Sequence, residues 1–209
     1  MKIKIKQIFH NYYQYIFLIL ISLILCMPLL KETFFETHDG MYHISRIIST
    51  HFSMQDGQFL PVITNQWSNG FGYSWNLFYP PLINYVGVFF KLFLPTYTKA
   101  LKAVLVLLTF IASFAMYNLM FEITKNKKVS LLTSLIYVSS PYRLTDIYVR
   151  LALGEVITFS ALPILFHGLY NVFYSDVKKD YLITIGTCLI LLAHNISSLL
   201  TIFIVLIIC

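Results

Sequence analysis

The chain has 209 residues, of which 58% are hydrophobic, 17% aromatic and only 11% charged, with a mean hydropathy of +0.73 and a formal net charge of +6. A soluble domain carries roughly a quarter of its residues as Asp, Glu, Lys or Arg, which excludes a water-soluble globule, a disordered tail and a disulfide-stapled secreted domain. What remains is an all-α integral membrane protein. Its basic residues sit in short clusters beside apolar runs, so the positive charge reports orientation in a membrane rather than nucleic acid as a partner.

Lys2, Lys4 and Lys6 precede a first apolar run at 15–30. No small-residue cleavage site follows Cys26, so the run is expected to persist as a first span with its N-terminus in the cytoplasm. Further apolar runs cover 81–94, 100–121, 129–138, 151–174, 181–193 and 198–209. The run at 81–94 opens on Pro80-Pro81, is interrupted by Gly87 and contains Lys91. If it only lies in the interface, then Lys125, Lys127 and Lys128, and later Lys178 and Lys179, all fall on the cytoplasmic side with the N-terminal lysines, as the positive-inside rule requires. The expectation is a single multi-pass cell-membrane module over 1–209 with about six spans. A long external loop at 31–99 carries amphipathic interfacial helices. The last apolar run stops at Cys209, as the N-terminal part of a longer protein would.

In the external loop, 39–55 has the helical period, with Met41, Ile44, Ile48 and Phe52 on one side. Asp39, His43 and Arg46 stand at i, i+4 and i+7 and share the other side. A carboxylate there can take a proton from an acceptor hydroxyl while cations hold a phosphate leaving group. The same Asp39 can also serve only as a helix cap, with His43 and Arg46 solvating an interfacial helix. His38, Asp39, His43 and His51 have the types to hold a divalent metal ion, although their spacing is not that of a paired helical ligand set.

Between 65 and 81, Trp67, Phe71, Tyr73, Trp75 and Tyr79 offer flat faces beside amide groups, suited to a sugar or to the first isoprene units of a lipid carrier. Aromatic residues also gather at the headgroup level of any membrane protein. The second external stretch, 140–150, places Arg143, Asp146 and Arg150 between apolar runs, with Glu155 just inside the next span. A carboxylate inside a span needs a partner, and Arg150 or Arg143 is the natural one. His194-Asn195 marks a break near the outer end of the run from Tyr181.

The Asp39, His43 and Arg46 set, the segment Phe71-Gly72-Tyr73 with Phe78-Tyr79-Pro80, the segment Ser140-Pro141-Tyr142-Arg143 with Arg150 and Gly154-Glu155, and His194 together carry a resemblance. They resemble bacterial polytopic proteins labelled as membrane proteins with a 6-pyruvoyl-tetrahydropterin synthase-related domain. That architecture is similar to the glycosyltransferase-C fold, and nothing in the chain suggests the soluble pterin enzyme. The resemblance implies transfer of a sugar from a polyprenyl-phosphate-linked donor on the outer face of the membrane. It implies Asp39 as general base beside His43, with Arg46, Arg143 or Arg150 on the donor phosphate, and Tyr73, Tyr79, Glu155 and His194 among the substrate-binding residues. The paired acidic motif of better-known transferases of the fold is absent. The alternatives are a transporter or flippase component with Glu155, Arg150 and His194 lining a path, or a noncatalytic scaffold or gene fragment.

Overall fold

In the computed structural model, residues 2–32, 36–65, 67–175 and 179–208 are described, with side chains from Tyr12 onward. Lys178, Cys209 and the side chains of Lys2, Lys4 and Lys6 lie outside the described residues. The first apolar run forms α1 (Lys2–Cys26) and a short 3-10 turn, Met27–Leu30, whose Pro28 cannot donate to a continuing helix. The external loop holds α2 (Gly40–Gln55), the single turn α3 (Trp75–Phe78) and α4 (Leu82–Lys91). Then follow α5 (Tyr97–Thr124), α6 (Lys127–Val138), α7 (Pro141–Thr145), α8 (Leu153–Tyr174), α9 (Tyr181–Leu191) and α10 (Asn195–Ile208). Between α7 and α8 the chain widens into one π turn, Asp146–Arg150.

Among the described residues there is no strand, only an isolated antiparallel bridge between Thr64 and Tyr73. Three stretches are long and apolar enough to cross a membrane: Tyr12–Leu30, α5 and α8, of 19, 28 and 22 residues. The described residues thus form an all-helical chain with three helices of the length and composition of membrane spans. The other runs expected to cross form helices of 12, 11 and 14 residues (α6, α9 and α10), below the roughly 17 needed to span alone. The run at 81–94 forms the ten-residue α4, also too short to cross unaided.

The bundle centres on α5 and α8. α5 packs against α1, α4, α6 and α8, and α8 against α9. Small polar residues join the helices where hydrocarbon gives no hydrophobic drive for association. Ser22 and Ser113 hydroxyls meet at 3.0 Å, Ser134 donates to the Ser113 carbonyl at 2.7 Å, and Ser160 donates to the Leu108 carbonyl at 3.0 Å. Pro163 inside α8 has no amide hydrogen for the Phe159 carbonyl one turn earlier. The Tyr137 hydroxyl from α6 supplies the missing donor at 2.6 Å.

The two ends of the bundle differ in charge. At one end Glu122 pairs with Lys125 at 2.8 Å and Lys179 at 3.9 Å, and Lys127 lies over the Tyr13 ring at 5.8 Å. This gathers the α5–α6 turn, the α8–α9 connection and the beginning of α1. The opposite end carries α2, the 141–152 segment and the α9–α10 break.

Candidate functional site

The spacing that predicts a helix over 39–55 is met by α2, with Asp39 at its N-cap. Its His43 and Arg46 do not solvate an interfacial helix. The polar side is turned inward, with His43, Arg46, Ser49, Thr50 and Ser53 buried; on the apolar side Ile44 is buried and Ile48 packs against the core, while Met41 and Phe52 are exposed. An aromatic lid covers part of the polar side. Trp67 donates its indole N–H to Ser49 at 2.5 Å, Trp75 packs edge-on against Tyr42 at 4.5 Å between ring centres, and Tyr73 lies 4.4 Å from Trp75. The lid returns on itself through Gly70 and Gly72, both at positive φ (92° and 85°), which brings Tyr73 back onto Thr64.

Arg46 is 1% exposed and lies under the Tyr79 ring, 4.3 Å from its centre, with Tyr42 at 5.7 Å. One terminal nitrogen makes long bonds to the Tyr79 and Pro80 carbonyls, at 3.4 and 3.3 Å. Nε and the other terminal nitrogen have no hydrogen-bond partner among the described residues. Nor does any carboxylate among them reach Arg46 within ion-pair distance. Burial pulls its pKa below the ordinary arginine value, partly offset by the Tyr42 and Tyr79 phenols. A buried guanidinium with open donors and no counter-ion is suited to an incoming anion.

His43 is also 1% exposed, and its ring hydrogen-bonds the backbone of Leu151 while Nδ1 has no partner among the described residues. Burial first, and then the Arg46 charge, push its pKa down from 6.5 to about 3. At neutral pH His43 is thus a neutral ring and not one of the cations facing a phosphate. Stability should fall as pH is lowered from 6.5 towards about 3, because the unfolded chain binds a proton that folded His43 refuses. The slope is at most about 1.4 kcal/mol per pH unit. Melting curves between pH 7 and pH 4 in detergent are expected to flatten in the His43→Gln variant, and an unchanged slope contradicts the assignment.

The second external stretch reaches this site through the backbone. His38 and Asp39 donate their amides to the Val149 and Arg150 carbonyls at 3.1 and 3.0 Å, which fastens the start of α2 to the π turn. The Asp39 side chain makes no capping bond and is exposed. Its charge is close enough to act on both Tyr42 and Tyr79. Across the break between α9 and α10, His194 stands 6.0 Å from the Tyr79 ring and bonds Ser197 at 2.8 Å. Gly154 lets His194 approach, since a Cβ there would fall 2.9 Å from the Ala193 carbonyl.

The three arginines expected on a phosphate are separated. Arg150 is taken up by two carboxylates, Asp146 at 2.6 Å and Glu155 at 2.8 Å, and the Tyr142 hydroxyl donates to the same Glu155. The hydrogen bond to Glu155 holds the Arg150 pKa above its ordinary value. Burial and the neighbouring Glu155 push Asp146 upward, opposed by Arg150. Arg143 points away from this cluster into the bundle, bonding the Val138 carbonyl at 3.1 Å and Thr109 of α5 at 2.9 Å. Among the described residues Arg46 keeps two open nitrogens, whereas Arg143 keeps only its Nε. Sequence reasoning passes over Tyr42, and it names Trp75, Tyr142 and Asp146 without the contacts they make here. Tyr42 with Arg46 and Asp146 with Arg150 both stand at i, i+4, the spacing that could have found them.

Among the described residues no group of three His, Cys, Asp or Glu side chains is placed to share a metal ion, and His38, Asp39 and His43 do not form one. No family model and no solved structure matches the chain. An uncharacterized protein of Lactococcus lactis subsp. cremoris (strain MG1363) is 24% identical over 197 residues, covering 92% of this chain and 32% of that protein. The chain thus spans about a third of the length of this curated relative.

Proposed function

We propose that the protein is a membrane-embedded transferase of the glycosyltransferase-C kind, moving a sugar from a polyprenyl-phosphate donor to an acceptor hydroxyl on the outer face of the cell membrane. The observation that carries this reading is a buried guanidinium with open donors, Arg46, on the same helix end as an exposed carboxylate, Asp39, both acting on Tyr42 and Tyr79. Asp39 takes the proton of the acceptor hydroxyl as that oxygen bonds the anomeric carbon. The bond from that carbon to the phosphate oxygen breaks, and the departing lipid phosphate is held by Arg46. Tyr73, Trp75 and Tyr79 supply flat faces for the sugar ring. Glu155 and His194 border the same space, with Arg150 braced by its two carboxylates.

The orientation belongs to the same proposal. The end with Lys125, Lys127 and Lys179 faces the cytoplasm together with the N-terminus, and the shorter α6, α9 and α10 complete a multi-pass bundle of about six crossings. The test uses the full-length protein in membranes with a radiolabelled polyprenyl-phosphate sugar. Asp39→Asn is expected to lower transfer by about 100-fold or more, the scale of a lost general base, while donor binding is kept. Transfer that persists undiminished in that variant sinks the assignment.

A further inference from the structure

A second site lies on the same end of the bundle, on the side where α1 meets α5. The lysines of the sequence fall into two groups. One marks the end read as cytoplasmic. The other, Lys31, Lys91, Lys99 and Lys102, is confined to the segment joining the first span to α5 and the first turns of α5 itself. Lysines on the non-cytoplasmic side work against the orientation set by the first group, so a cluster there calls for a local use.

Three of them border one groove of about 380 Å³ between the end of α1 and the start of α5. Lys31 and Lys99 are exposed on its rim. Lys102, 6% exposed in the second turn of α5, extends along the groove and donates to the Lys31 carbonyl at 2.5 Å, tying the two helix ends together. Glu32 is the single carboxylate among the lining residues, so the rim keeps a positive excess. Below the lysines the walls are apolar: Leu29, Leu94 and Val106. The groove lies where the apolar stretch Tyr12–Leu30 ends and that of α5 begins, the place at which two spanning helices would meet the headgroups. Leu92 and Phe93 beside it are 67% and 72% exposed, as residues facing lipid are.

We infer that this groove binds an anionic phospholipid, its phosphate headgroup between Lys31, Lys99 and Lys102 and one acyl chain along Leu29, Leu94 and Val106. Cations at the top and an apolar floor continuous with the lipid-facing surface match the two halves of such a molecule. A soluble anion would have no use for the floor. An acidic peptide would leave it open to lipid. None of its lining residues is Asp39 or Arg46, and the site rests on the proposed orientation but not on the transferase chemistry.

Native mass spectrometry of the full-length protein, released from bicelles of equal phosphatidylglycerol and phosphatidylcholine, tests the inference. One phosphatidylglycerol is expected to remain bound with no phosphatidylcholine equivalent. In Lys31→Gln/Lys99→Gln its occupancy should drop about tenfold, whereas Lys127→Gln/Lys128→Gln, which removes the same charge at the other end, should leave it unchanged. Equal retention of the two lipids, or phosphatidylglycerol retention unchanged by the rim variant, overturns the inference. Displacement of the lipid by millimolar glycerol phosphate overturns it in favour of a soluble anion. If the rim variant does not fold, the unmutated protein decides: retention that weakens as ammonium acetate rises from about 50 to about 500 mM supports the site, and retention indifferent to salt refutes it.

Discussion

Replacing Arg46 with methionine is expected to leave the melting temperature unchanged or to raise it, while weakening binding of a polyprenyl-phosphate donor about 100-fold or more. Arg46 is buried with two of its three nitrogens unpartnered among the described residues, and the bonds it does make to the Tyr79 and Pro80 carbonyls are long. A buried charge in that condition is a liability to the fold, and an apolar side chain of similar length is often neutral or stabilising in its place. Methionine can lie under the Tyr79 ring as the guanidinium does, keeping a sulfur–aromatic contact. The bound phosphate would lose a desolvated, charge-assisted partner, an effect of about 2–5 kcal/mol. Isothermal titration with the donor and thermal melting in the same detergent read the two quantities separately. A large fall in melting temperature with donor binding intact would make Arg46 a structural residue and remove the phosphate site.

Gly168→Ala and Gly186→Ala are each expected to destabilise the hairpin of α8 and α9 by about 2–3 kcal/mol, with the double variant costing less than the sum. The contacts are reciprocal. A Cβ on Gly168 would stand 2.6 Å from the Ile183 amide nitrogen, and one on Gly186 would stand 2.6 Å from the Leu165 amide nitrogen. Both obstacles are backbone, so the helices themselves must separate, and small residues are what permit this approach in a membrane bundle. One separation relieves both clashes, which is why the penalties should not add. The effect should also reach the site, because α9 leads directly into Ala193 and His194, which rest on Gly154. Thermal melting of the two single variants and the double variant in detergent is the measurement. Strict additivity would mean that the two glycines act independently and that the hairpin flexes locally.

Much of the architecture is legible in the residues because burial in lipid leaves little choice. Apolar runs at 15–30, 100–121 and 151–174 coincide with the three long helices, and the Pro80-Pro81 opening, Gly87 and Lys91 of 81–94 accompany a helix too short to cross. Three runs expected to span fold into helices shorter than a bilayer requires alone. In α6 the helix stops at Ser139 ahead of Pro141, so a local breaker rather than apolar content sets that length, whereas α9 ends at Leu191 within an apolar run. The lysines at 125, 127 and 179 share one end, as their positions along alternating runs predict.

The site was legible in composition but not in geometry. Periodicity places Asp39, His43 and Arg46 along one side of α2, and it cannot tell whether that side meets water or protein. The aromatic lid decides this by covering the polar side, and burial then leaves His43 neutral and Arg46 without a counter-ion. Residue types alone make Arg143 and Arg150 equal candidates to pair with Glu155. The π turn decides between them, turning Arg150 onto Asp146 and Glu155 while Arg143 reaches Thr109 inside the bundle. By itself, then, the sequence determined the membrane class, the positions of the long helices and the end that Lys125, Lys127 and Lys179 share, because those follow from hydropathy and charge counted along the chain. Only the tertiary structure decided that Asp39 is tied to Arg150, that His194 comes to Tyr79 and that Arg46 is buried with two open nitrogens among the described residues, because these depend on backbone bonds and packing between segments far apart in sequence.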